Sequence, residues 1–355
     1  MVLSSYGAEI PSQLAGLFSP PAAHTNQFGS YSPLLRFYNG QQVKSAQDWR
    51  KRRAEIKNAW EREMGVWPRL IEKPVIEYLA SSNRTGFMQH RVRVQVAEDL
   101  RLEGYLLRPP GKGPFPGVVV PYYEPESSVG LSKIPLRDFA SELATRGFVT
   151  LAIGSPGGDA RKPELAGAQC QPLHFLGYIA ANCYNALANL PEVDADRIGV
   201  VGHSYGGKWA MFATCFYEKF AAGAWSDPGI VFDDKRSNIN YWEPWYLGAD
   251  RNQARNPGLP SVKNPATGAY KRLQQAGHDL HEVQSLMAPR PFLVSGGAED
   301  PPERWLPLNR INEVNALLGA TNRIAMSNRA GHDPTPESNE QIYQFLEFFL
   351  KESEK

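Results

Sequence analysis

Short continuous apolar runs punctuate the middle and end of the chain: Gly117-Val-Val-Val-Pro121, Val149-Thr-Leu-Ala-Ile153, Ile198-Gly-Val-Val-Gly202, Ala221-Ala-Gly-Ala-Trp225, Pro291-Phe-Leu-Val-Ser295 and Arg323-Ile-Ala-Met326. Runs this short, apolar at every position, suit strands covered on both faces. Ahead of them, His90-Arg-Val-Arg-Val-Gln-Val96 and Leu102-Glu-Gly-Tyr-Leu-Leu-Arg108 alternate in polarity across a short polar turn, which predicts an antiparallel hairpin. Helical spacing appears between the runs, over about 133–146, 172–190, 205–216, 303–318 and 337–351, the last carrying Ile342, Phe345, Leu346 and Phe349. Nearer the start, Ser45-Ala-Gln-Asp48 resembles a capping box, and Trp49, Ile56, Trp60 and Met64 share one face of a helix that ends near Gly65.

Strand and helix therefore alternate, and the economical fold class is α/β: a mostly parallel central sheet of about eight strands with helices on both faces. Residues 228–289 interrupt the alternation with Trp242, Trp245, several turn signals and a helix near 278–287. An insertion of this length after a strand end is a natural lid or substrate wall. The expected division is residues 1–89, an irregular segment through 44 and then a helix packing on the core, followed by the main domain over 90–355.

Composition narrows the classes of function. The chain has 355 residues, 42% hydrophobic and 21% charged, with 38 basic against 37 acidic side chains and a formal net charge of +1. Disorder and a nucleic-acid-coating surface fit poorly. No apolar run reaches the length of a membrane span, so no membrane partner is expected. Three cysteines, Cys170, Cys183 and Cys215, are too few and too scattered for a disulfide scaffold or a zinc site. Residues 1–20, broken by Glu9, Pro11 and Pro20, carry neither the basic start nor the apolar run of a signal peptide. The protein reads as soluble, and either cytoplasmic or exported with its signal removed.

The most informative stretch is Arg197-Ile-Gly-Val-Val-Gly-His-Ser-Tyr-Gly-Gly-Lys-Trp-Ala210. It holds the pattern G-x-S-x-G, Gly202 to Gly206, directly after a buried strand and directly before a helix. So tight a strand-to-helix reversal strains the central residue and excludes bulk two positions either side, which accounts for both glycines. Ser204 then stands at a helix N-terminus, where developing negative charge is favoured.

A serine hydroxyl needs a base in hydrogen-bond reach, and the base needs an orienting acid. His332, in Arg329-Ala-Gly-His-Asp-Pro334 after the last apolar run, is the candidate base. Two carboxylates compete for the acid: Asp300 in Ser295-Gly-Gly-Ala-Glu-Asp-Pro301 and Asp227 in Trp225-Ser-Asp-Pro-Gly229. Asp300 is preferred, because it follows the penultimate strand, where the usual order of parts puts the acid. An oxyanion needs at least two donors. The Tyr205 amide is one, and an amide of Tyr122 or Tyr123, after the Val118–Pro121 strand, is the other.

These parts resemble the α/β-hydrolase superfamily over about residues 90–352. Within it the elbow, Ser226-Asp-Pro-Gly229, Asp279-Leu-His281 and Ala288-Pro-Arg-Pro291 are similar to the branch of carbohydrate esterases that includes glucuronoyl and acetyl xylan esterases. The resemblance implies a serine hydrolase of carboxylic esters, on a small-molecule or oligosaccharide substrate. It implies that Lys208 contacts a sugar hydroxyl, and it makes Asp227 the position of the acid found after the sixth strand. The chain departs from glucuronoyl esterases in having Tyr205 where an Arg stands and Asp227 where Glu is usual. Dienelactone hydrolases carry Cys at the elbow and haloalkane dehalogenases carry Asp, so Ser204 argues against both chemistries.

The other conspicuous residues take simpler roles. Trp242, Trp245 and Trp305 could stack on sugar rings near the strand ends. His278-Asp-Leu-His281-Glu282 lacks the spacing of H-E-x-x-H and reads as a pocket wall or structural turn. His174 and His203 read as hydrogen-bonded packing residues. No metal or organic cofactor is implied, and the oligomeric state stays open. The rival readings are a peptidase of the prolyl-oligopeptidase type, for whose propeller about 90 leading residues are too few, and a noncatalytic binding protein that keeps the fold.

Overall fold

The structure, a computed structural model, describes residues 9–351; the start of the irregular segment, residues 1–8, lies outside them. Nine strands form one sheet: β1 (Ile76–Arg84), β2 (Phe87–Gln95), β3 (Arg101–Arg108), β4 (Phe115–Pro121), β5 (Val149–Ile153), β6 (Val193–His203), β7 (Ala222–Ser226), β8 (Phe292–Gly296) and β9 (Ile324–Asn328). Their spatial order is β1-β2-β3-β5-β4-β6-β7-β8-β9. The pairs from β1 through β3 to β5 are antiparallel, and every pair from β5 to β9 is parallel.

The helices are α1 (Ser12–Ala15), α2 (Ala46–Met64), α3 (Pro125–Ser128), α4 (Phe139–Thr145), α5 (Pro172–Ala188), α6 (Tyr205–Phe216), α7 (Gly268–Gln275), α8 (His281–Ser285), α9 (Trp305–Leu317) and α10 (Pro336–Leu350). They divide between the faces because successive strand residues point opposite ways. Val119, Leu151, Val200, Trp225 and Val294 join the core under α5, α6 and α9. Their neighbours Val118, Ala152, Val201, Ala224 and Leu293 join the core under α4 and α10. Each fully buried valine or leucine among them contributes roughly 1.5–3 kcal/mol, so a register slip would be penalised on both faces at once.

The expected hairpin is β2 and β3, with Arg91 opposite Tyr105. The expected Ser45 cap is present: Ser45 Oγ accepts from the Asp48 amide at 3.1 Å, and α2 ends at Gly65 with φ 82°. The sheet also has a strand that pattern does not predict. β1 lies at the edge and is solvated on both faces, so it has neither an apolar run nor clean alternation.

The described part of the N-terminal segment packs on the core. Phe18 packs on Phe345 and Phe349 of α10, with ring centroids at 6.4 and 6.2 Å. Further on, Leu34 and Val43 belong to the opposite core, together with Trp49, Ile56, Trp60 and Met64 of α2. Residues 228–289 between β7 and β8 carry α7 and α8, both in contact with α2. No helix among the described residues is long and apolar enough to cross a membrane.

Candidate active site

Ser204 is the hinge between β6 and α6, and its backbone sits at φ 55°, ψ −114°. That conformation is strained for a residue with a side chain and persists because its surroundings fix it. The Ser204 amide donates to the Ser226 carbonyl at 2.8 Å. A Cβ on Gly202 would collide with the Gly206 carbonyl, and one on Gly206 with the Pro121 carbonyl. Both glycines are thus dictated by backbone contact, as the motif predicts.

His332, in the loop between β9 and α10, has Nε2 2.9 Å from Ser204 Oγ and Nδ1 2.7 Å from Asp227 Oδ2. With the Nδ1 proton donated to the carboxylate, Nε2 is the nitrogen that accepts from the serine hydroxyl. The sequence-predicted serine and histidine are brought together, and the carboxylate joined to them is Asp227.

The preference for Asp300 is therefore corrected. Asp227 is fully buried, directly after β7 and at φ 49°. Its Oδ1 accepts the amides of Gly297 at 2.7 Å, Glu299 at 3.1 Å and Asp300 at 2.8 Å. Those amides form an anion-binding nest after β8 and satisfy a carboxylate that would otherwise be costly to bury. Asp300 thus serves through its backbone, while its carboxylate turns away to accept the amides of Gly229 at 2.8 Å and Ile230 at 2.6 Å. Burial, then the neighbouring Asp227 charge, pushes the Asp300 carboxyl up to about 6. Each aspartate pins the loop that carries the other.

Two neighbours complete the frame. Arg329, which no sequence signal marks, donates to the Ser226 hydroxyl at 3.2 Å, the Ser295 carbonyl at 2.9 Å and the His332 carbonyl at 2.7 Å, tying the ends of β7 and β8 to the histidine loop. His203 packs its ring 4.7 Å from that of His332 and places Nδ1 3.1 Å from the Ser226 hydroxyl, the hydrogen bond expected of it. Burial, then the adjacent His332, holds its pKa well below the ordinary imidazole range, so His203 is a neutral partner.

The oxyanion candidates separate. Tyr205 is the first residue of α6, where a helical amide has no intrahelical acceptor. The Tyr122 amide instead donates to the Ile153 carbonyl at 3.0 Å; its expected role is corrected, because sheet pairing with β5 already uses it. Tyr123 brings its side chain toward the site: Ser204 is among the groups that act on its phenol, and the ring lies 4.8 Å from that of Tyr205. Sequence pattern locates this loop but carries no sign that the Tyr123 phenol also lies near the serine.

The substrate-binding expectations change more. Lys208 is 2% exposed. Its ammonium donates to the carbonyls of Pro228 at 2.7 Å and Asn238 at 3.3 Å and lies 5.2 Å from the centre of the Tyr241 ring. It pins the insertion and is not presented to a sugar hydroxyl. Burial holds its pKa down at about 8. Trp242 and Trp305 are each 1% exposed and belong to the core, so neither has a face for stacking. Trp245 alone of the three is partly buried at the surface of the insertion. His174 lacks the hydrogen bond expected of it: both ring nitrogens are buried without a partner, the ring packs 4.5 Å from Phe216, and burial pushes its pKa down to about 3. Among the described residues no cluster of His, Cys, Asp and Glu could hold a metal ion.

Sheet order, elbow and hydrogen-bonded Ser, His and Asp together define the α/β-hydrolase fold. Within that fold the chain is similar to a glucuronoyl esterase from Solibacter usitatus, at 18% identity and TM-score 0.69, over 92% of this chain and 98% of that one. A promiscuous esterase of carbohydrate esterase family 15 from a marine bacterial metagenome superposes at TM-score 0.69 and 15% identity, over 94% and 100%. The glucuronoyl esterase of Sporotrichum thermophile does so at TM-score 0.59 and 17% identity, over 92% and 89%. No family model matches the chain. A stretch of 142 residues, 40% of the chain, is 30% identical to acyl-coenzyme A amino acid N-acyltransferase 2 of Rattus norvegicus and spans 30% of that protein.

Proposed function

We propose that the protein is a serine esterase that cleaves a carboxylic ester by acyl transfer, with a carbohydrate-linked ester as its substrate class. The observation that carries this reading is the continuous hydrogen-bonded chain from Ser204 Oγ through His332 to buried Asp227. Ser204 attacks the ester carbonyl as His332 Nε2 takes its proton. The alkoxide of the tetrahedral intermediate is held by the Tyr205 amide and the Tyr123 hydroxyl. His332 returns the proton to the leaving alcohol, and water, deprotonated by the same imidazole, releases the acid and restores the serine. Asp227 fixes the tautomer and stabilises the imidazolium that forms. The carbohydrate class is supported by the likeness to glucuronoyl esterases.

Hydrolysis of aryl acetates and of methyl glucuronate esters, by the chain and by Ser204→Ala, is the direct test. The substitution should leave the circular-dichroism spectrum unchanged and lower kcat by at least about 10³-fold. Retained turnover in the alanine variant would remove Ser204 from the mechanism. Turnover of aryl acetates without any glucuronate ester would keep the esterase and discard glucuronate esters as its substrates.

A further inference from the structure

A concave site lies outside the catalytic hydrogen-bond network. The N-terminal segment at Ser30–Ser32, Phe232 of the insertion, Gln274 of α7 and the turn before α8 enclose an open cleft of about 350 Å³, within the size range of small-molecule sites.

Its walls are braced from behind. Arg310 Nε donates to the Tyr31 carbonyl at 3.1 Å, which fixes an otherwise irregular segment on α9. Asp279 is held by the Phe232 and Leu280 amides, at 2.8 and 2.6 Å, both on Oδ1 and neither on Oδ2. His278 Nδ1 lies 2.6 Å from Glu282 Oε2, an oxygen that also accepts from Trp60 Nε1 at 2.9 Å. That fixes the imidazole and leaves its Nε2 for a ligand. His281 donates from Nε2 to the Ser32 carbonyl at 3.0 Å, and its Nδ1 is buried without a partner. An orphaned buried acceptor is costly unless something donates to it.

The chemistry of the lining selects among ligands. No lysine or arginine lines the cleft, so a phosphate or carboxylate would find no counter-charge. A cation would meet a single carboxylate, Asp279, among otherwise neutral polar groups. Hydroxyl groups, which donate and accept at once, suit the mixed set of Ser30, Ser32, Gln274, His278 and Asp279. Tyr31 and Phe232 supply aromatic surface for an apolar ring face. We propose that this cleft is a binding site for a neutral sugar, separate from the Ser204 centre and independent of what that centre hydrolyses.

Saturation-transfer NMR and calorimetric titration of the full chain test it, with xylose, glucose and xylotriose as sugar probes and choline and inorganic phosphate as charged probes. At least one sugar should bind saturably. Its affinity should fall at least tenfold in Gln274→Ala and in Ser30→Trp, both changes at exposed positions, and stay unchanged in Ser204→Ala. Three results would overturn the assignment: no saturable sugar binding, sugar binding that Ser30→Trp leaves intact, or choline or phosphate as the only probe bound.

Discussion

Asp227 and Asp300 look alike in sequence: each follows a buried strand, precedes a proline and lies between Ser204 and His332. What separates them is direction, and direction is set by backbone amides. The Gly297, Glu299 and Asp300 amides draw the Asp227 carboxylate toward His332, while the Gly229 and Ile230 amides draw the Asp300 carboxylate away. Asp227→Asn should therefore lower kcat for an aryl ester by about 10⁴-fold with KM little changed. Asp300→Asn, which disturbs only a brace, should stay within about tenfold of the parent while lowering Tm. Steady-state kinetics on the two variants decides this, and a larger kcat loss in Asp300→Asn would reverse the assignment. Tyr123→Phe removes the hydroxyl proposed as an oxyanion donor and should reduce kcat by about 10²–10³-fold, measured with the same ester; unchanged kcat would leave the hydroxyl without a catalytic part.

At the scale of elements, the parts legible in sequence are those buried on both sides. β4 to β9 stand out because strands covered on two faces must be apolar throughout, and the elbow stands out because Gly202 and Gly206 are required by backbone contacts of their own. β1 is illegible because solvent covers both its faces. α7 escapes notice for another reason: Ala269, Tyr270 and Leu273 supply its buried face within eight residues, too short a stretch for helical period to show among turn residues. The family resemblance makes Lys208 a substrate contact because it fixes a place on α6 and not the backbone carbonyls that the side chain meets. Its role as a pin is testable. Lys208→Ala strands the buried Pro228 carbonyl and opens a cavity, so stability should fall by about 2–4 kcal/mol. Hydrogen exchange should quicken first over 228–246; unaltered exchange there would show that other contacts secure the insertion.

Over the whole molecule, the N-terminal segment and the insertion meet above α2, a contact that no sequence period announces because it joins irregular chain to irregular chain. Asp279 sits at that junction, and burial pushes its carboxyl up to about 7. A carboxyl raised this far above its ordinary value means that the folded chain binds the proton more tightly than the unfolded one. The stability this contributes is full below the unfolded pKa and is lost as pH rises toward about 7. Asn in its place keeps the amide acceptor and cannot ionise. Denaturant melts of the parent and Asp279→Asn at several pH values should show the variant gaining relative stability from about pH 4 to 7, with a slope of up to about 1.4 kcal/mol per pH unit. A difference independent of pH would mean that the carboxyl is not desolvated at this junction.

The claim beneath all of these is that one hydroxyl is made nucleophilic by an imidazole held on a buried carboxylate. Reaction with a fluorophosphonate, followed by peptide mapping by mass spectrometry, reads it directly. The adduct should fall on the peptide containing Ser204 in the parent chain and vanish in a folded His332→Ala variant. A folded parent chain that takes no label, or takes it at another residue, would contradict the account.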